Sequence, residues 1–356
     1  MTVRIGKRVI GDGQPAFITY EAGPTHDGLA SAKRLVKLAA DAGADAVKFQ
    51  IFDPDRLIAD KKLTFSYEVL TDRASGKMET VEEPLYDILC RRCLTEPEWR
   101  ELKAYSDSLG LAFFSTVAFE EDVRLLESLK CDSIKIASAD VNHFPLLRLA
   151  ARTGMCLQLD TGSATLGEVE AAVDVIRSEG NENIIIHQCP SGYPARLSSI
   201  NLKVISTLKQ MFPYPVAFSD HTPGWDMDVA ALALGANLLE KTISEDRTTR
   251  SVEHIFSLEP TEMRGFINAI RDVEVALGDP RRVMHGDELT KRQRVRRSVY
   301  LKSNARAGQT LREVAVEFRR PGFGIGPDRY EELIDAQLTR DLPAGHLLSL
   351  GDLKHG

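Results

Sequence analysis

The chain has 356 residues, a formal net charge of −7, 43% hydrophobic and 27% charged residues. At roughly 150 residues per domain, this describes a globular protein long enough to bury its core without disulfides or metal staples. The acidic excess argues against a nucleic-acid binder, and no apolar run approaches the ~20 residues of a membrane span.

Residues 1–10 lack the apolar core of a signal peptide, so a cytoplasmic protein is expected. Residues 16–20 (AFITY) predict a buried strand, and Glu21 to Gly28 a turn. Helix 30–42 has apolar residues at 35, 36, 38, 39 and 42 and closes at Gly43. The next strand is 45–49. A long polar insertion, 53–94, then precedes its helix. Strands at 111–116, 132–137, 155–160, 183–187, 215–219 and 237–241 alternate with helices at 120–129, 144–153, 167–179, 201–210, 226–235 and 260–277. Eight strand–helix units predict an α/β chain folded as a (β/α)8 TIM barrel over residues 1–280. No GxGxxG follows the first strand, so the rival dinucleotide-binding fold lacks its signature. Segment 281–297, basic and without an apolar period, reads as a linker. Residues 298–356 read as a small β-rich domain. The five cysteines, odd in number and in apolar contexts, predict buried thiols in a reducing compartment. The Cys90/Cys93 CxxC has no second pair with which to hold zinc.

A barrel's C-terminal strand ends converge on one pocket, so their polar residues form a set. Strand one delivers Glu21 and His26, two delivers Lys48, three Ser115 and Thr116, four Lys135, Ser138 and Asp140, and five Asp160, Thr161 and Gly162. Strand six delivers His187, Ser191 and Tyr193, seven Ser219, Asp220 and His221, and eight Glu240 and Thr242. Two lysines among hydroxyls suit a phosphate or carboxylate, while carboxylates with histidine suit acid–base work or a divalent metal. An unpaired ammonium inside an apolar strand is costly, so each lysine serves either a ligand or a buried ion pair. His187, after three isoleucines, reads as a core histidine, and Cys189 as a packing residue.

The segments TYEAGPTHDG, DAVKFQ, FFST, IKIASADVNHFPLL, DTGSATLGEVE, SGYP, FSDHTPG, LLEK and FSLEP occur in an order that resembles the sialic acid synthase family. VRRSVYLKSNARAGQTL and RRPGFGI resemble its C-terminal antifreeze-like (SAF) domain. The resemblance implies condensation of phosphoenolpyruvate with an N-acylated hexose into a nine-carbon 2-keto sugar acid, by a domain-swapped homodimer using Mn²⁺ or Mg²⁺. It assigns phosphoenolpyruvate to Lys48, Thr116, Lys135, Ser138, Ser191, Tyr193 and Ser219, and the sugar to Asp140, Glu253 and a partner's Arg320. Glu21 falls beside the reacting carbons, and His221 matches a metal ligand. The family's second metal-binding histidine is replaced by Thr242, and its Gly-Pro-Asp-His by Ser251-Val252-Glu253-His254. These departures imply a weak or absent metal site, a metal-independent variant, or a catalytically inactive carbohydrate-binding or regulatory homologue.

Overall fold

The computed structural model describes residues 1–354. Eight parallel strands close into a barrel: β1 Phe17–Glu21, β2 Ala46–Gln50, β3 Ala112–Val117, β4 Ser133–Ile136, β5 Cys156–Asp160, β6 Ile184–Gln188, β7 Val216–Asp220 and β8 Leu238–Thr242. Each begins one residue after the run predicted for it. Seven expected helices are present, from Leu29–Ala42 to Pro260–Leu277, and Glu96–Ser108 is the helix following the insertion. Thr95 and Thr165 start their helices with capping boxes, their partner glutamates bonding back to the cap N–H groups at 2.8 Å.

Strand parity divides the barrel into two cores. Residues such as Ile18, Val47, Phe113, Leu157, Ile186 and Leu239 face the helices in the main apolar cluster. The alternate positions face inward, and their first layer is apolar: Phe17, Ala46, Phe114, Cys156, Ile185, Ala217 and Leu238. Val3, Ile5 and Ile10 of the N-terminal hairpin Val3–Ile5/Arg8–Ile10 join that layer and close the barrel floor. Ile5 and Ile10 are fully buried there, each worth about 1.5–3 kcal/mol. Above this floor the inward positions turn polar.

The insertion is not merely polar loop. It contains an antiparallel hairpin, Thr64–Asp72 with Lys77–Pro84, whose Tyr67 and Val69 pack with Ile88 in a small apolar cluster. Cys90 and Cys93 are exposed, contrary to the expected burial; Cys131, Cys156 and Cys189 are buried. The chain divides into two compact units, Met1–Gly278 and Asp279–Gly356. The expectation of a plain linker over 281–297 is corrected, because Gly286–Val295 is a helix. Its charged faces bury nothing, so no apolar period marks it. The rest of the second unit pairs Ser298–Leu301 with Val316–Arg319, over a core including Val299, Leu301, Leu311 and Leu348.

Candidate active site

The inward residues of the upper barrel layers form a buried ionic network. Lys48 lies 2.6 Å from Glu21 and 2.6 Å from Glu240. Lys135 lies 2.7 Å from the other oxygen of Glu240, 3.1 Å from Asp160 and 3.1 Å from the Ser219 hydroxyl. Glu240 thus holds two ammonium groups side by side. Register accounts for the arrangement: Glu21 pairs with Lys48 and Thr242, Ser219 with Glu240, and Asp160 with His187 on adjoining strands. Burial alone would raise Glu240, but Lys135 and Lys48 outweigh it and hold its carboxyl far below the usual range. Burial raises Glu21 and Asp160, only partly opposed by Lys48 and Lys135 respectively.

Beneath the lysines runs a chain of neutral partners. His187 Nδ1 lies 3.1 Å from the Lys135 ammonium, and its Nε2 lies 2.9 Å from Gln158 Oε1. The Gln158 amide donates to Ser133 at 2.9 Å, and the Ser133 hydroxyl donates to the Cys156 carbonyl at 2.7 Å. His187 is a satisfied core histidine, as expected, but one in contact with the central cation.

The remaining candidates lie at strand ends, in loops and on the second unit. Thr116 pairs in register with Gln50 and Lys135. Ser138 lies in a 3₁₀ turn, 3.5 Å from Ser163, and Ser191 donates to the Gly162 carbonyl at 2.7 Å. Thr161, Gly162, Cys189 and Ser191 help line a cavity of about 370 Å³ between the β5 and β6 loops. Gly162 is required there, since a Cβ would meet the Cys189 carbonyl at 2.7 Å. Gly23 is required for the same reason: a Cβ would sit 2.8 Å from Glu21 Oε1, which its own N–H binds at 2.6 Å. Tyr193 stacks on His221 with ring centroids 4.7 Å apart. Asp140 is half-buried and, among the described residues, has no charged partner within ion-pair distance; Arg320 is exposed on the second unit.

Asp220 departs from the expected convergence. It faces the helices, where it pairs with Lys241, and Lys241 lies 3.7 Å from Asp228.

The donors do not fit a firmly held divalent metal. His221 has a buried Nδ1 without a partner among the described residues, and burial pulls the imidazole down to about 4. Thr242 spends its hydroxyl on Glu253, donating at 3.1 Å. Glu253 is pushed up to about 8 by burial and by Glu21. Among the described residues no three His, Cys, Asp or Glu side chains converge as ligands.

A model of the NeuB family matches residues 35–282. The chain belongs to the NeuB family. It is 33% identical over 343 residues to the N,N'-diacetyllegionaminic acid synthase of Legionella pneumophila, covering 95% of this chain and 94% of that one. Among solved NeuB-like structures, the N-acetylneuraminic acid synthetase of Leptospira borgpetersenii in complex with citrate has a TM-score of 0.71 at 27% identity. That match covers 82% of this chain and 95% of the other. The spore coat polysaccharide biosynthesis protein SpsE of Bacillus subtilis matches over the full length of both chains, at TM-score 0.66 and 30% identity.

Reading strand ends as a set did not find the bridging role of Glu240, the contact of Asp160 with Lys135, or the Gln158–Ser133 chain. The available signal was parity: Lys48, Lys135, Gln158, Asp160, His187, Ser219 and Glu240 all occupy inward positions of their strands.

Proposed function

We propose that this NeuB-family chain condenses phosphoenolpyruvate with an N-acylated hexose, releasing a nine-carbon 2-keto-3-deoxy sugar acid and phosphate. The observation that carries the reading is the pair of buried ammonium groups, Lys48 and Lys135, set side by side by Glu240 at the barrel's C-terminal end. Two such cations attract the phosphate and carboxylate of one small acid, and nearby hydroxyls orient it. The carbon–carbon bond forms between the enol carbon and the sugar's aldehyde carbon. Water then adds at the resulting cationic centre, and phosphate leaves with cleavage of its C–O bond. Glu21, at the rim of β1, faces this chemistry beside Glu253.

The family resemblance brings Mn²⁺ or Mg²⁺ with it. Thr242 is engaged with Glu253, and among the described residues no set of ligands gathers around His221, so the steps above rest on the side chains alone. The half-buried Asp140 and the buried Glu253 are the acidic candidates for the sugar's hydroxyls. We assign Arg320, from the C-terminal domain of a second copy, to the N-acyl group, whose carbonyl suits a guanidinium's fork of donors.

Phosphate release from phosphoenolpyruvate with a panel of N-acyl hexoses, with and without chelator, tests the reading. Release is expected only when both substrates are present. A folded protein that releases none with any acceptor, in either condition, would refute it.

A further inference from the structure

The network carries excess negative charge before any substrate arrives. Three carboxylates, Glu21, Asp160 and Glu240, lie within 3.1 Å of two ammonium groups. A phosphorylated acid adds two or three further negative charges, and like charges at these distances in a buried site are strongly unfavourable. Binding therefore requires a proton as well as the lysines.

The geometry distinguishes the three carboxylates as proton acceptors. Glu240 is committed, with one oxygen on each lysine. Glu21 receives Lys48, the Gly23 N–H at 2.6 Å and the Gln50 amide at 3.4 Å. Asp160 is held least: Oδ1 alone takes Lys135 at 3.1 Å and Ser219 at 3.2 Å. Its side chain is 13% exposed, against 4% for Glu21 and 5% for Glu240.

His187 cannot take the proton. The Ser133 hydroxyl points to the Cys156 carbonyl, so Gln158 turns its NH₂ toward Ser133 and its oxygen toward His187. That fixes the hydrogen on Nε2, and a second proton on Nδ1 would face the Lys135 ammonium 3.1 Å away. Burial and Lys135 accordingly push His187 well below its ordinary range.

We propose that Asp160 takes up a proton when the phosphorylated acid binds, and in its neutral form donates a hydrogen bond to a phosphate or carboxylate oxygen of that acid. This rests on the reading that the lysine pair holds phosphoenolpyruvate, and it gives a role to a residue that reading leaves unused. The groups facing Asp160 support it: Lys135 from β4, His187 and the Cys189 thiol from β6 and its loop, Ser219 from β7, Glu240 from β8 and Lys48 from β2. Burial is the main influence on Asp160 and raises it; Glu240 adds to the rise, while Lys135 and Lys48 oppose it.

Calorimetry of phosphoenolpyruvate binding to the full chain, in buffers of different ionisation heat, counts the protons. At pH 8 the wild type should take up on the order of one proton per bound molecule, its affinity falling about tenfold per pH unit. Asp160→Asn should bind without proton exchange and with a flat pH profile; Asp160→Ser gives a second reading if the first variant does not fold. No uptake by the wild type overturns the proposal. Uptake that survives in both variants also overturns it, because the proton then resides on the ligand or on Glu21. If phosphoenolpyruvate does not bind but inorganic phosphate does, with uptake that depends on Asp160, the proposal holds and the condensation reading falls. If neither anion binds, both fall.

Discussion

Two buried ionic clusters lie on opposite faces of the barrel wall and meet at β8, where Glu240 and Lys241 are one residue apart. Inside the barrel, Glu240 bridges Lys48 and Lys135, with Glu21 and Asp160 beside them. Outside, between β7, β8 and helix Asp226–Ala233, Lys241 pairs with Asp220 and approaches Asp228. Both set lysine among carboxylates. The outer cluster is sealed, with all three side chains at 0% exposure, and Thr222 returns two hydrogen bonds to Asp220 at 2.9 and 2.8 Å. The inner one keeps some exposure at the C-terminal end of β5, where the Asp160 side chain is 13% exposed. Charges sealed on all sides serve the fold; charges at an opening can exchange partners with a ligand.

The largest effect should come from the sealed cluster. Lys241→Met leaves Asp220 and Asp228 buried without a cation, which should cost about 3–5 kcal/mol in denaturant unfolding. If Lys241→Met unfolds with wild-type energy, the outer cluster is not structural and the contrast fails.

Next come the inner lysines. Lys48→Ala and Lys135→Ala should each weaken phosphoenolpyruvate binding by about 1.5–3 kcal/mol, or roughly ten- to a hundred-fold by calorimetry. Unchanged affinity in both variants would make the inner cluster structural as well.

Asp228 sharpens the comparison through pH. Burial and the neighbouring Asp220 carboxylate hold it well above its ordinary value, and Lys241 only partly opposes them. A raised folded-state value means the native protein binds the extra proton. Its contribution to stability is therefore present below the unfolded value near 3.8 and is lost as pH rises toward the folded one, by about 1.4 kcal/mol per pH unit. Asp228→Asn should remove that slope in unfolding experiments at pH values above the unfolded value near 3.8. An unchanged slope would assign the loss to another group.

The smallest effect concerns metal. Mn²⁺ titrated against the apo protein should bind weakly, and somewhat better with phosphoenolpyruvate and sugar present, because oxygen ligands from the substrates can complete what the single His221 cannot. Tight apo binding that survives His221→Ala would mean that a site exists elsewhere.

Much of the barrel was legible because its signals are local. Short β-rich runs, helix caps and closing glycines recur with a period that only parallel strands with crossover helices satisfy. The hairpin in the insertion was missed although Phe65, Tyr67 and Val69 alternate along its first strand, because the second strand carries charged residues at both parities and the pair draws stability from the small Tyr67–Val69–Ile88 cluster. Helix Gly286–Val295 was hidden for a similar reason: none of its residues is buried, so no apolar stripe announces it.

The sequence by itself determined the alternation of strands and helices, the family, and the presence of Lys48, Lys135, Ser219 and Glu21 at strand ends. Each of these depends on residues near one another in the chain or on segment order. Tertiary structure alone decided which charges meet. Glu240 reaches Lys48 and Lys135 across 192 and 105 residues, and only closure of the barrel brings them within a hydrogen bond. The same closure turns Glu240 inward and Lys241 outward, because successive side chains of a strand face opposite sides of its sheet. One residue of parity thus separates a charge available to a substrate from a charge enclosed in the fold.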